Sequence, residues 1–294
     1  MSISRQNLSV IIVSFKSYHV IHRCISSIDK EIEIIVIENS NNTKLKKDIE
    51  EQYENVKCIL SSENIGMGAG NNIGIKNTNK DFALILNPDV ILEKNTIDEI
   101  IGASKSIDSF GVIAPISDKT KYPNYKLDKN KNHKFDPINP FEVKTVDGYS
   151  MLLNLKRLRK LNNFNFFDEN FFLYLENDDF CKRLNSNNEN IYIVPKSKVH
   201  HFGGEAVDPK YQYEIELSRN WHWMWSKFYF NKKHYGYIKA FVNIFYNLIS
   251  AKIKFFYFLI TFNNHKRRIY KMRLFGLLNS MIGNKSFYRP KLDD

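Results

Sequence analysis

The hydrophobic pattern changes period along the chain, and those changes divide it. Residues 8–15 are an apolar run rich in Val and Ile. The run reads as a strand buried on both faces. It is too short for a secretory h-region followed by a cleavage site, and far too short to span a bilayer. Similar short runs recur at 32–37, 56–60, 82–86 and 112–114. Segments suited to helices lie between or after them at 17–29, 43–54, 64–77 and 95–109, the last opened by Asn95 as an N-cap with Asp98 in its first turn. Strands alternating with helices predict an α/β fold, a mostly parallel sheet covered on both faces.

The alternation stops at 117–142, a stretch rich in Lys, Asn, Asp and Pro with little periodicity. Such long excursions are functional or mobile as a class. Order returns with Val146-Asp147-Gly148, an apolar run at 151–155 and an aromatic run at 164–172. A helix at 176–184 opens with acids, as the helix dipole favours, and a strand at 191–194 leads to His200-His201-Phe202-Gly203-Gly204. From residue 211 onward the pattern is helical and aromatic. Residues 238–262 are strongly apolar, but Lys252 and Lys254 interrupt them, and Asn243, Asn247, Ser250, Lys254 and Thr261 fall on one helical stripe. That pattern fits a helix lying in a membrane interface, or one packed on the core, better than a membrane span.

Charge sharpens this division. The 294 residues carry a formal net charge of +11, which taken alone suggests nucleic acid or an anionic membrane as partner. Residues 231–294 hold 13 basic and 2 acidic residues, so the whole excess lies there and the first 230 residues are neutral. A neutral first part argues against an extended phosphate track, and so against nucleic acid. Cys24, Cys58 and Cys181 lie far apart with no CxxC pair, which excludes a disulfide framework and a cysteine zinc cluster and suits a reducing compartment.

Five groups of residues could carry chemistry. Asn87-Pro88-Asp89 ends a predicted strand, where α/β sheets bind ligands; a carboxylate there can hold a divalent ion, although the same three residues also make simple turns. Glu38-Asn39-Ser40 ends another, and its acid could bind a nucleotide or cap a helix. Asn64-Ile65-Gly66-Met67-Gly68-Ala69-Gly70-Asn71-Asn72 permits close backbone approach, without the dinucleotide-binding spacing. Glu176-Asn177-Asp178-Asp179 places three acids beside an aromatic run. Such crowding can raise a carboxylate pKa and make a general base, or the acids can be a solvated first helical turn. His200-His201 could complete a metal site or be structural.

Their order along the chain resembles family 2 inverting glycosyltransferases, in particular the rhamnosyltransferase type of bacterial polysaccharide assembly. The likeness runs over about residues 8–230. It is carried by residues 11–15 with Glu38-Asn39-Ser40, by Glu63 through Gly74, by Leu86-Asn87-Pro88-Asp89, by Gly148, by Phe167-Asp168-Glu169 through Leu184, and by His201-Phe202-Gly203-Gly204. It implies a GT-A fold, with a nucleotide-sugar half at about 1–115, an acceptor half at about 143–230 and a basic helical tail at 231–294. Ser14, Glu38, Asn64, Asn71, Asn72 and Asn87 would form the donor site, with Glu38 on the base. Asp89, in the family's Asp-any-Asp motif, and His201 would hold Mg²⁺ or Mn²⁺. The catalytic carboxylates would be among Glu176, Asp178 and Asp179, with Glu176 preferred as base because Asn177 stands at the usual base position. The implied reaction moves a sugar from a dTDP- or UDP-sugar, rhamnose first among them, to a glycan or lipid-linked glycan in cell-surface polysaccharide synthesis. The implied site of action is the inner face of the cytoplasmic membrane, with the tail on anionic lipid. A nucleotidyltransferase and a catalytically impaired sugar-nucleotide binder are the alternatives.

Overall fold

The computed structural model describes residues 2–118, 122–131, 133–162, 164–290 and 292. The chain forms two compact units. The first comprises Met1–Ile65, Ala69–Asp168 and Asn177–Asp208; the second comprises Gly66–Gly68, Glu169–Glu176 and Pro209–Asp294.

The first unit is built on a sheet. β1 (Leu8–Ser14), α1 (Tyr18–Ser26), β2 (Glu33–Glu38), α2 (Thr43–Gln52), β3 (Val56–Leu60), α3 (Met67–Lys76) and β4 (Phe82–Leu86) alternate as the periodicity predicts. Next come β5 (Val90–Leu92), α4 (Thr96–Ser104) and β6 (Val112–Ser117), then three two-residue strands, β7 (Tyr125–Lys126), β8 (Phe141–Glu142) and β9 (Thr145–Val146). β10 (Ser150–Asn154), α5 (Leu155–Leu158), α6 (Glu176–Ser186) and β11 (Ile191–His201) complete the α/β part. The strand order is β3-β2-β1-β4-β10-β6-β11-β5, with β8 on β11. β1 to β4, β6 and β11 share one direction, and β5, β8 and β10 run against them. The sheet is therefore mostly parallel.

Both faces are covered. Val10, Ile12, Ile34 and Leu84 pack with Ile21 and Ile25 of α1, Ile49 of α2 and Ile100 of α4. Ile11, Ile85 and Leu153 point the other way and pack with Ile75 of α3, Leu158 of α5 and Phe180 of α6. Period-2 alternation on strands buried on both faces produces these two cores. α3 lies unusually close to β1. A Cβ on Gly74 would stand 2.3 Å from Cγ2 of Ile11, and one on Gly70 would stand 2.9 Å from the methyls of Val13.

The structure departs from the sequence pattern in three places, the first being β5, a three-residue strand the periodicity does not show. The excursion at 117–142 is partly ordered by pairing: β7 joins β9, and β8 adds to the edge of β11, where Phe141 is buried. Residues 119–121 and 132 of that excursion, and Lys291, Asp293 and Asp294 of the basic tail, lie outside the described residues. β11 also runs seven residues past the apolar 191–194 segment, because a register shift between Val194 and Lys198 absorbs Pro195 and lets pairing with β6 resume.

The second unit gathers α7 (Gln212–Tyr235), α8 (Tyr237–Ile260) and α9 (Asn264–Met281) around Met224, Phe228, Ala240, Ile244 and Leu277. α9 passes close to α7: a Cβ on Gly276 would lie 2.1 Å from the carbonyl oxygen of Trp221. Among the described residues, no helix is long and apolar enough to cross a membrane. His222 is fully buried in this unit. Its Nε2 lies 2.8 Å from the Tyr288 carbonyl, which can only accept, and its Nδ1 lies 2.9 Å from Ser286 Oγ. Burial pushes its pKa down from 6.5 to about 3, and the charge of Arg289 adds to the fall.

Two outcomes follow from this packing. Gly74→Ala should destabilise the protein by about 1–3 kcal/mol through overpacking, although helix propensity alone predicts a gain of about 1 kcal/mol. The urea midpoint decides between them. His222 stays neutral when folded and takes a proton when unfolded, so its stabilisation is intact above pH 6.5. It is lost as pH falls from there toward 3, by about 1.4 kcal/mol per pH unit. His222→Gln should remove this component from the pH dependence of urea unfolding followed by tryptophan fluorescence.

Candidate functional site

The strand order reverses beside β1, whose neighbours are β2 on one side and β4 on the other. Chain connections leave such a point in opposite directions and open a crevice beyond the carboxyl ends of the strands. Ser14 closes β1 and is paired in register with Glu38, which closes β2; Asn87 follows β4. The Asn39 amide donates to the Ser14 carbonyl (2.7 Å), and the Asn87 amide to the Tyr149 carbonyl (2.9 Å). Ser150 is paired with Leu86 where β10 enters the sheet.

Buried polar atoms without a hydrogen-bond partner gather here. They are Ser14 Oγ, Asn87 Oδ1, Asp89 Oδ1 and Ser150 Oγ at the strand ends, and Asn71 Oδ1 on α3 one residue after the glycine that meets Val13. Buried polar groups are normally satisfied, so a cluster of exceptions calls for a ligand as explanation.

Asp89 is buried at the corner between β4 and β5, where the Val90 amide closes a turn onto the Asn87 carbonyl (3.1 Å). β5 pairs with the end of β11 so that His201 faces Val90, and His201 Nε2 thereby comes 3.6 Å from Asp89 Oδ1. The Tyr149 ring stacks on the His201 ring at 3.9 Å. Burial pushes the Tyr149 hydroxyl pKa up to about 12, so it remains a neutral phenol. A carboxylate oxygen and an imidazole nitrogen facing one another beyond hydrogen-bond distance fit a divalent ion. Among the described residues, no group of three or more His, Cys, Asp or Glu side chains is placed to hold a metal. The pair would thus supply two ligands and leave the rest to phosphate oxygens and water, as suits Mg²⁺ or Mn²⁺. His200, one residue earlier on the strand, faces elsewhere: its Nδ1 lies 2.8 Å from Asp118 and its Nε2 3.2 Å from Glu93.

Other residues that the sequence marks have structural partners. Glu38 turns into its own loop, accepting from the amides of Ser40 (3.0 Å) and Asn42 (2.7 Å) and from the Ser40 hydroxyl. Asn72 holds both backbone polar groups of Phe167, donating to its carbonyl at 2.9 Å and accepting from its amide at 3.0 Å. Asn64 is half-buried in the loop before α3. On α6, Asp179 is wholly buried and paired with Arg183 Nε at 2.8 Å, while the same guanidinium donates to the carbonyls of Asn165 and Phe166. The side-chain amide of Asn177 donates to the Val146 carbonyl (2.9 Å), a bond that an ionised Asp could not make. Asp178 pairs with Lys126 at 3.1 Å. Glu176 opens α6 but belongs to the second compact unit.

Tyr149, Ser150 and Asp147 were not among the candidates. The sequence marks this stretch only as ordered, through Val146-Asp147-Gly148 and the apolar run at 151–155, and gives these three side chains no role. Loss of water around the Asp147 carboxyl raises its pKa, and the charge of Asp178 adds to the rise, against the charges of Lys126 and His201.

Residues 9–180 match the model of the family described as Glycosyl transferase family 2. The chain is similar to a low-salt glycan biosynthesis hexosyltransferase, Agl10, of Haloferax volcanii, at 28% identity over 201 residues. That match takes in 63% of this chain and 64% of the relative, so the chain spans less than two thirds of that protein's length. It is also similar to the rhamnosyltransferase WbbL of Escherichia coli K12, at 25% identity over 59% of this chain and 74% of the relative. Among solved structures, the mannosyltransferase PcManGT of Pyrobaculum calidifontis, in complex with GDP-Man and Mn²⁺, superposes with a TM-score of 0.54 at 11% identity. That superposition covers 96% of this chain and 87% of the other, and it shows a shared fold.

Proposed function

The chain belongs to glycosyltransferase family 2, and from that premise we propose that it moves a hexose-type sugar from a nucleoside-diphosphate donor to a hydroxyl of a glycan acceptor, with inversion. The observation that carries the reading is the set of buried, partnerless polar atoms at the strand switch point, with Asp89 and His201 facing each other beside it. The names of the hexosyltransferase and rhamnosyltransferase relatives support the sugar class and a role in polysaccharide assembly. Rhamnose on dTDP is the first donor to try, and UDP-sugars are the next. A growing glycan on a lipid carrier suits the acceptor role. Such an acceptor would bring the enzyme to the inner face of the cytoplasmic membrane as a peripheral protein.

In this reading Ser14, Asn71, Asn87 and Ser150 offer hydrogen bonds to the donor. Glu38 fixes the loop beside them, and Asn64 and Asn72 shape the approach from α3. Asp89 and His201 would hold Mg²⁺ or Mn²⁺, which supplies positive charge for the departing diphosphate. A carboxylate takes the proton from the acceptor hydroxyl as its oxygen attacks the anomeric carbon; the bond from that carbon to the diphosphate oxygen breaks, and no covalent intermediate forms. We assign the base to Glu176. The choice follows the resemblance: Asn177, at the usual base position, has no basic atom, and Asp179 is wholly buried against Arg183. Asn177 also favours a second reading, a family member that binds sugar nucleotides without turning them over.

Titration with dTDP, UDP and GDP should show binding that Mn²⁺ strengthens, and Asp89→Asn should lose the Mn²⁺-dependent part. Nucleotide binding indifferent to Mn²⁺ would overturn the assignment of Asp89 and His201. Glu176→Gln should lower transfer by about 10²–10⁴-fold with nucleotide affinity unchanged. The same loss in Asp178→Asn instead would move the base to Asp178. Nucleotide binding with no transfer or hydrolysis by the unaltered protein, across donors, would establish the second reading.

A further inference from the structure

α8 has two apolar faces, and among the described residues one of them is buried and the other exposed. Ala240, Ile244 and Ala251 are buried, the first two in the core shared with α7 and α9. Part of the polar stripe that the sequence shows is bonded to α7: Asn243 donates to Asn231 at 2.7 Å, and Asn247 accepts from Lys227 at 2.9 Å. The opposite face is apolar and exposed. Ile238, Val242, Tyr246, Ile249, Ile253 and Ile260 recur at steps of three, four and seven, with Ile238 82%, Tyr246 80%, Ile253 62% and Ile260 74% exposed. They form one straight stripe about 33 Å long. Phe262, just beyond the helix, is 87% exposed. A contiguous apolar surface of this extent on a soluble face marks an interaction site.

Charge identifies the occupant. No Asp or Glu lies between Glu216 and Asp293. Lys239 and Lys252, both exposed, border the stripe on its two sides by helical position, and Lys266, Arg267, Arg268 and Lys271 follow on α9. A second copy of the chain would bring these wholly basic flanks together, which like-charge repulsion opposes. An anionic bilayer accepts both features: acyl chains cover the stripe and lipid headgroups meet the lysines and arginines. The helix does not meet the requirements of a span, so it would lie along the surface rather than cross. We infer that α8 is an in-plane membrane anchor, which docks through this stripe on a bilayer containing anionic lipid. The inference rests on the membrane-surface role proposed above and names the element that performs it.

The test uses the full chain and co-sedimentation with phosphatidylcholine vesicles, with and without phosphatidylglycerol. The protein should bind vesicles containing phosphatidylglycerol, more weakly as salt rises, and should bind poorly to phosphatidylcholine alone. The exposed double variant Tyr246→Glu/Ile253→Glu should bind at least tenfold more weakly, with an unchanged urea midpoint. Lys239→Gln/Lys252→Gln should reduce the preference for phosphatidylglycerol while leaving the stripe intact. Binding of the double glutamate variant equal to that of the unaltered chain would overturn the inference. So would failure of the unaltered chain to bind, or its behaviour as a dimer that the variant splits. Nucleotide binding, and sugar transfer to a water-soluble acceptor glycoside, should be the same in the variant and the unaltered chain. Loss of those activities in the unaltered chain, with vesicle binding retained, would sink the glycosyltransferase reading and leave the anchor standing.

Discussion

The parallel register of β1 between β2 and β4 is the constraint on which the first unit depends. It sets Ser14 beside Glu38 and brings the end of β4 to the same edge. Loop atoms then continue the ladder, with the Asn39 amide on Ser14 and the Ser61 amide on Glu38. A slip of one residue would exchange the two faces of β1 and turn Ser14 into the opposite core. The same register fixes Ile11 and Val13 on the face that α3 covers, and there glycines at positions 70 and 74 let the helix backbone come close. The glycines lower helix propensity, and close packing on β1 repays that cost. Asn71, held on this helix, is carried to the site by the same contact.

Burying Asp89 is the costly step in the arrangement. A carboxylate removed from water without a strong partner is expensive, and His201 at 3.6 Å is too far to be a good hydrogen-bond partner. Asp179 shows how this chain handles a buried acid whose task is structural: Arg183 binds it directly and ties it to the 165–166 backbone. The contrast separates the two carboxylates by environment. One is neutralised by the fold, and the other is left facing an imidazole at the strand ends, where a cation and a diphosphate would complete it.

Strand and helix alternation made the sheet legible because β1, β2 and β4 are buried on both faces and read as apolar runs, and the edge strand β3 keeps a short one around its exposed Lys57. β5 and the far half of β11 were not legible. The first is three residues long, and the second contains a proline and exposed lysines that pair through a register shift. Within the site, Asp89 was marked as a candidate by its position at a strand end, whereas His201 was singled out from His200 only by the family resemblance. Asn72 and Asp179 illustrate the limit. Their residue types suit chemistry, but the sequence does not say that Asn72 reaches Phe167 or that Asp179 turns inward onto Arg183. Ser150 and Tyr149 escaped notice because their importance comes from antiparallel pairing with β4, a contact across more than sixty residues of chain.

The placement of charge bears on the chemistry as much as on location. A nucleoside diphosphate is strongly anionic, yet the strand ends carry the carboxylates of Glu38 and Asp89, with Asp147 and Asp178 in the same unit. The basic excess lies in the C-terminal helices rather than in the first 230 residues. In the proposed function, an anionic donor held by such a set calls for a cation at short range, where salt screens least. In that reading, Asp89 and His201 would hold a divalent ion that supplies this charge at short range. The tail is then free to use its charge on a different anion. On the two proposals above, the division of charge along the chain would serve two electrostatic tasks: a compact one at the sheet edge, where a metal would act, and an extended one along α8 and α9, where many single charges would meet anionic lipid.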